Sequence, residues 1–123
     1  VAFNVLIPNV DDHLRNHGFL WLGAAGWSLS PAYDLNPVPI DLKARVLTTN
    51  IDLDEGTCSL GLLEAASEFF GLTLQQARAI IKEVATVTAT WRATAKAAGA
   101  RSGEITRMAS AFERDDLKRA LAL

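Results

Sequence analysis

All four prolines of this chain, Pro8, Pro31, Pro37 and Pro39, lie before residue 40. No other feature constrains the fold as much. Proline fixes φ and lacks an N–H, so it ends helices and cannot pair inside a sheet. Long regular structure is therefore confined to the remainder, and the chain divides near Leu53. Before that point the sequence predicts turns, short strands and extended segments. After it the pattern is helical.

In the first part, the apolar run Val1 to Ile7 reads as the end of a helix that Pro8 closes. No capping residue precedes it, and the first residue is Val1. The run therefore reads as a helix entered part-way along, and the chain as an excised piece. Asn9 to Asn16 is polar and predicts a loop. Gly18 to Leu22 and Trp27 to Ser30 are short aromatic-rich runs flanking Gly23-Ala24-Ala25-Gly26. They predict a β-hairpin, with Trp21 and Trp27 packed against the body. Pro31 to Pro39 predicts extended chain. Ile40 to Asp54 fits neither period.

In the second part, Ser59 predicts the N-cap of a helix reaching Phe70, with Gly71 as its stop. Thr73 followed by Gln76 forms a capping box. The helix it opens is predicted to run to Ala98 and stop at Gly99. Its apolar face is read as Ala77, Ile80, Val84, Val87, Trp91 and Ala95, spaced three or four apart, and packed on the Phe69–Phe70 helix. Ser102 predicts the cap of a further helix to Phe112, and Asp115 to Leu123 a helical tail.

Half of the residues are apolar and the net charge is −2, so nothing in the bulk points to nucleic-acid or anionic-membrane binding. No apolar run approaches the roughly 20 residues that cross a bilayer. The single cysteine, Cys58, forms no internal disulfide, which fits a reducing cytoplasm; with no basic cluster nearby it reads as a quiet thiol.

The stretch that carries chemistry is Asn9-Val10-Asp11-Asp12-His13-Leu14-Arg15-Asn16, followed beyond the hairpin by Ser30-Pro31-Ala32-Tyr33-Asp34. Phosphoryl transfer needs a carboxylate to take the acceptor hydroxyl's proton. It also needs an amide oxygen and a second carboxylate to hold Mg²⁺ on the nucleotide phosphates. A loop followed by a tight hairpin can bring both ends together. Asn16 and Asp34 should then share one ion, with side-chain oxygens roughly 3–6 Å apart given Mg²⁺–oxygen distances of about 2.1 Å. The bland alternative is a polar loop of local Asx turns. A zinc site from Asp11, His13 and His17 is disfavoured by its hard-ligand company. Asp12 reads as solvated, His17 as a surface residue without a partner, and Arg107, Arg114, Lys118 and Arg119 as a solvated basic tail.

These residues resemble the HipA-like serine/threonine kinases, the kinase toxins of bacterial toxin–antitoxin pairs. Their loop reads approximately N-T-D-x-H-x-K-N, then comes a hairpin, then L-S/T-P-x-Y-D. Asn9, Asp11, His13 and Asn16 are in register, as are Leu29, Ser30, Pro31, Tyr33 and Asp34. Val10 stands where the family usually has Thr, and Arg15 where it usually has Lys. The resemblance implies a mainly α fold with a small β-hairpin, the C-terminal lobe of a protein-kinase-like fold. It covers 1–54 as catalytic loop, hairpin and metal-aspartate segment, and 55–123 as a helical region. It implies Asp11 as base, Asn16 and Asp34 as Mg²⁺ and nucleotide ligands, His13 as a brace of the loop and Arg15 near the phosphates. It implies ATP and Mg²⁺ as cofactors. It also implies a protein serine as acceptor (an aminoacyl-tRNA synthetase is the family's best-known target), a DNA-binding antitoxin of the HipB kind as partner, and a cytoplasmic location. A lipid or small-molecule kinase lobe, or a non-catalytic partner-binding module, are the rival readings. Neither a Gly-rich loop nor a strand lysine of the V-A-I-K kind occurs between Val1 and Leu123. The expectation is that this stretch alone holds ATP weakly and transfers nothing.

Overall fold

The computed structural model describes residues 1–123. Six α-helices and one hairpin follow in the order α1 (Ala2–Leu6), β1 (Phe19–Trp21), β2 (Trp27–Leu29), α2 (Leu60–Ala65), α3 (Leu74–Thr88), α4 (Trp91–Ala97), α5 (Ser102–Phe112) and α6 (Asp115–Leu121). The fold is mainly α with a small antiparallel hairpin, as the sequence predicts. No helix is long and apolar enough to cross a membrane.

Helix α1 is short because Pro8 follows it, yet it lies at the centre of the core: Val5 and Leu6 are fully buried. Around them gather Leu60 and Leu63 of α2, Ile81 and Ala85 of α3, and Leu117 and Ala120 of α6, with Leu47, Ile51 and Cys58 from the irregular segment between hairpin and α2. That segment, unreadable by period, is pinned by the bridge Val46–Thr57. It is also pinned by Arg45, whose guanidinium donates to the Val5 carbonyl at 3.4 Å and pairs with Asp116 of α6 at 2.6 Å.

The caps fall where the sequence puts them. The Ser59 side chain accepts from the Leu62 N–H, and α2 tightens into a 3-10 helix, Ala66–Phe70, that Gly71 ends in the left-handed region at φ 67°. Thr73 and Gln76 form the reciprocal capping box of α3. At α5 the outcome differs: Ser102 is the first helical residue, and Glu104 accepts from both the backbone N–H and the guanidinium of Arg101.

The predicted single helix to Ala98 is two helices, broken at Ala89–Thr90. The cause lies in its threonines. The hydroxyls of Thr86, Thr88 and Thr90 donate to the carbonyls of Lys82, Val84 and Val87. Such back-bonding competes with the helical ladder and bends it. The buried face is also rotated from the predicted one. Ala77, Ile81, Ala85 and Thr88 point inward, whereas Ile80 is 44% exposed and Val87 68%. The small Ala77 and Ala85 flank Ile81 on the face that α1 and α6 pack against. Phe69 and Phe70 are exposed, and Trp91 stacks instead on Phe112 of α5, centroids 4.4 Å apart.

Cys58 is buried, and desolvation pushes its thiol up to about 11. The thiolate is the reactive form, so Cys58 should resist a disulfide reagent at pH 8 in the folded protein and react promptly in urea. Equal rates in both states would show that the thiol is accessible.

Candidate catalytic loop and metal-binding cleft

The loop after α1 is held from below by backbone pairing. The Val10 carbonyl accepts from the N–H and hydroxyl of Thr48, at 3.1 and 2.8 Å, and the Asp12 carbonyl accepts from the N–H of Thr49 at 2.9 Å and from its hydroxyl. Anchoring the loop through alternate residues leaves Asp11 between them facing solvent. A 3-10 turn, Leu14–Asn16, then carries the chain to the hairpin. There Phe19 pairs with Leu29, Leu20 with Ser28 and Trp21 with Trp27. Gly26, at φ 84°, closes the tip. The hairpin returns the chain to its starting point. A Cβ on Gly18 would lie 2.9 Å from the Ser30 hydroxyl oxygen, so any larger residue at the base of the hairpin would make the Ser30 side chain move.

The return places the SPAYD segment over the loop. The Tyr33 hydroxyl donates to the Arg15 carbonyl at 2.8 Å. The Asn16 amide donates to Asp34 Oδ2 at 3.0 Å and approaches the Asp11 carbonyl at 3.5 Å. Asp34 itself sits in the left-handed region at φ 54°, which Asp and Asn tolerate better than other side chains. Its second oxygen accepts from the Asn36 amide at 2.6 Å. Asn16 and Asp34, 18 residues apart, thus meet through an amide-to-carboxylate hydrogen bond. Asp11 is exposed beside them.

The donor set fits Mg²⁺. It is made of hard oxygens, one carboxylate and amides, on an open face that leaves room for water and phosphate oxygens, the company Mg²⁺ keeps. It does not fit zinc: no three His, Cys, Asp or Glu side chains gather anywhere, so Asp11, His13 and His17 form no such cluster.

Several sequence readings are corrected here. Asp12 is buried rather than solvated, and His17 has a partner: its Nε2 lies 3.0 Å from Asp12 Oδ1. The contact is close but not well directed, since Oδ1 lacks a hydrogen-bond partner. It ties together the two ends of the turn that carries Arg15 and Asn16. Only the spacing of five between these residues hinted at it. Trp21 and Trp27 are paired with each other at 5.2 Å but stand 61% and 67% exposed, not packed on the body. A two-stranded ribbon has no second layer here to bury them. His13 is half-buried, its Nδ1 enclosed without a hydrogen-bond partner, and Arg15 is exposed. The basic tail is partly engaged: Arg107 makes a bidentate pair with Asp41, both bonds 2.9 Å, and Lys118 pairs with Asp115. Asn36, missed by the sequence reading, belongs to the cleft; its amide against the Asp34 carboxylate identifies it.

Fold and cleft together define a helical domain whose loop–hairpin–loop unit assembles a polar cleft. Residues 1–91 match the family model described as the HipA-like C-terminal domain. The chain belongs to that family. Among curated proteins and among solved structures no match was found. The matched region ends where α4 begins, so α5 and α6 lie outside it, although α6 supplies Leu117 and Ala120 to the core.

Proposed function

We propose that this chain is the metal-and-base half of a kinase, in the C-terminal lobe of a protein-kinase-like fold, and that the protein transfers the γ-phosphoryl group of ATP to a protein serine. The observation that carries the reading is the meeting of Asn16 with Asp34 beside Asp11. Membership of the HipA-like family supports it.

On this reading Asn16 and Asp34 hold Mg²⁺, with the Asn16 amide turned to present its oxygen, and the ion when bound offsets the charge of the nucleotide phosphates. Asp11, exposed and free of partners, accepts a hydrogen bond from the serine hydroxyl and takes its proton. The serine oxygen forms its bond to the γ-phosphorus as the bond to the β,γ-bridging oxygen breaks, and ADP leaves. His13 braces the loop from its half-buried position. Arg15, whose carbonyl is held by Tyr33, extends its guanidinium toward the phosphates as a fork rather than the point charge of lysine. An aminoacyl-tRNA synthetase is the first acceptor to assay, a DNA-binding antitoxin the first partner, and the cytoplasm the expected location.

The test is transfer from radiolabelled ATP to serine-containing protein by the intact protein. The expected result is label on serine that appears with Mg²⁺ and disappears with EDTA. A folded protein that labels only a lipid or small molecule would overturn the substrate class. One that labels nothing but still captures a partner would overturn the enzyme.

A further inference from the structure

Asn9 is fully buried, with 0% of its surface exposed, at the start of the loop. A buried primary amide is costly unless its polar groups are bonded. An apolar side chain would fill the same space without that cost. What the amide does there is make two bonds that no apolar residue can. Its Nδ2 donates to Asn4 Oδ1 of α1 at 3.3 Å, and its Oδ1 accepts from the backbone N–H of Asn36 at 3.1 Å.

The second bond matters because of where Asn36 lies. The segment from Ser30 to Pro39 has no helix and no strand to fix it. Its tether to α1 beyond Asn36 is a long bond, from the Val38 N–H to the Ile7 carbonyl at 3.4 Å. Two residues before Asn36 is Asp34, in a left-handed conformation that the backbone does not hold unaided. The Asn36 amide grips one Asp34 oxygen at 2.6 Å while Asn16 grips the other at 3.0 Å. Hydrogen bonds thus run from the core to the cleft through Asn4, Asn9, the backbone N–H and side chain of Asn36, the Asp34 carboxylate and Asn16.

We propose that Asn9 is a positioning residue for the metal-binding carboxylate: by clamping the Asn36 backbone to α1, it sets the spacing between Asp34 and Asn16. The inference rests on the assignment of Asp34 and Asn16 to the metal. A residue that orients a metal ligand without touching the metal typically changes affinity 10–100-fold, by about that factor when removed.

The experiment measures Mn²⁺ binding by electron paramagnetic resonance on the intact protein with a non-hydrolysable ATP analogue, beside thermal unfolding of each variant. Asn9→Ala is expected to weaken Mn²⁺ about 10–100-fold. Asn4→Ala, which breaks only the bond on the far side of Asn9, is expected to lower the melting temperature but leave Mn²⁺ affinity within about threefold, because Asn36 keeps its acceptor. Asn9→Ser, still polar but too short to reach Asn36, is the milder variant and carries the same expectation if Asn9→Ala does not fold. Equal Mn²⁺ affinity in wild type and the Asn9 variants, or equal losses in Asn9→Ala and Asn4→Ala, would overturn the role given to Asn9. No Mn²⁺ bound by folded wild type would instead overturn the metal assignment on which it rests.

Discussion

Replacing Asp11 by alanine in the intact protein will lower kcat by about 10²–10⁴-fold, the usual contribution of a positioned general base, while nucleotide binding stays near wild type. The side chain makes no hydrogen bond or ion pair and is exposed. Substitutions at such positions usually change stability by no more than about 0.5 kcal/mol. A large fall in kcat therefore cannot be a folding defect, and a melting curve beside the assay separates the two. Asp34 needs a different substitution. At φ 54° alanine adds backbone strain, whereas asparagine tolerates the left-handed region; it removes the charge and replaces one of the two oxygens that accept from Asn16 and Asn36 by an N–H donor. Asp34→Asn should reduce transfer to background and raise the Mg²⁺ needed for any residual activity. The two aspartates thus separate on one plot. Asp11→Ala lowers the plateau without moving the Mg²⁺ midpoint; Asp34→Asn moves the midpoint. Unchanged kcat in Asp11→Ala would remove the base assignment, and an unmoved Mg²⁺ midpoint in Asp34→Asn the ligand assignment.

The parts of this fold legible in the sequence are those fixed by local chemistry. Gly23 and Gly26 around two alanines announce the hairpin, and Trp21 does pair with Trp27. Ser59, Thr73, Gly71 and Gly99 mark helix ends because caps and left-handed stops involve residues only a few positions apart. The cleft was legible for a related reason. Asp11 and Asn16 lie one short turn apart, and a tight hairpin can only return Asp34 to the neighbourhood it left. What could not be read depends on partners distant in sequence. Asn9 and Asn36 are 27 residues apart across a segment without regular structure. Leu47 and Ile51 enter the core from a stretch with neither helical nor strand period. The orientation of α3 failed because its apolar arc is broad, opposite the polar side of Gln75, Arg78, Lys82 and Thr86. Ala77 is buried as predicted, but of the two edges of that arc the packing of α1 and α6 selects Ile81 and Ala85 over Ile80 and Val87. The Asp12–His17 contact was missed because a carboxylate in a polar loop reads as solvated until the fold buries it.

The rotation of α3 and the break after it lead to the largest expected stability change. Trp91, 8% exposed, begins α4 and lies nearly parallel to the Phe112 ring, with an interplanar angle of 6°. The Arg92 guanidinium stands 4.7 Å from the Trp91 ring and pairs with Glu113. That ion pair is about half exposed on both sides and contributes little. The ring stack is therefore what joins α4 to α5. Trp91 also walls an apolar groove of about 410 Å³ whose other sides include Phe3, Ile105 and Met108. Because the groove is already open, the neighbours have little to collapse onto when the indole is removed. Trp91→Ala should accordingly cost about 3–5 kcal/mol, the range for burying and then deleting a large aromatic. Trp91→Phe keeps a ring on Phe112 and should retain most of the stability. Ile80→Ala and Val87→Ala should each cost under about 1 kcal/mol, because both side chains already face solvent. Urea unfolding of the four variants, followed by far-UV circular dichroism so that loss of the tryptophan does not remove the signal, gives the comparison. If Val87→Ala proved as costly as Trp91→Ala, the buried face would be the stripe through Ile80, Val84 and Val87 after all, and α3 would run unbroken into α4.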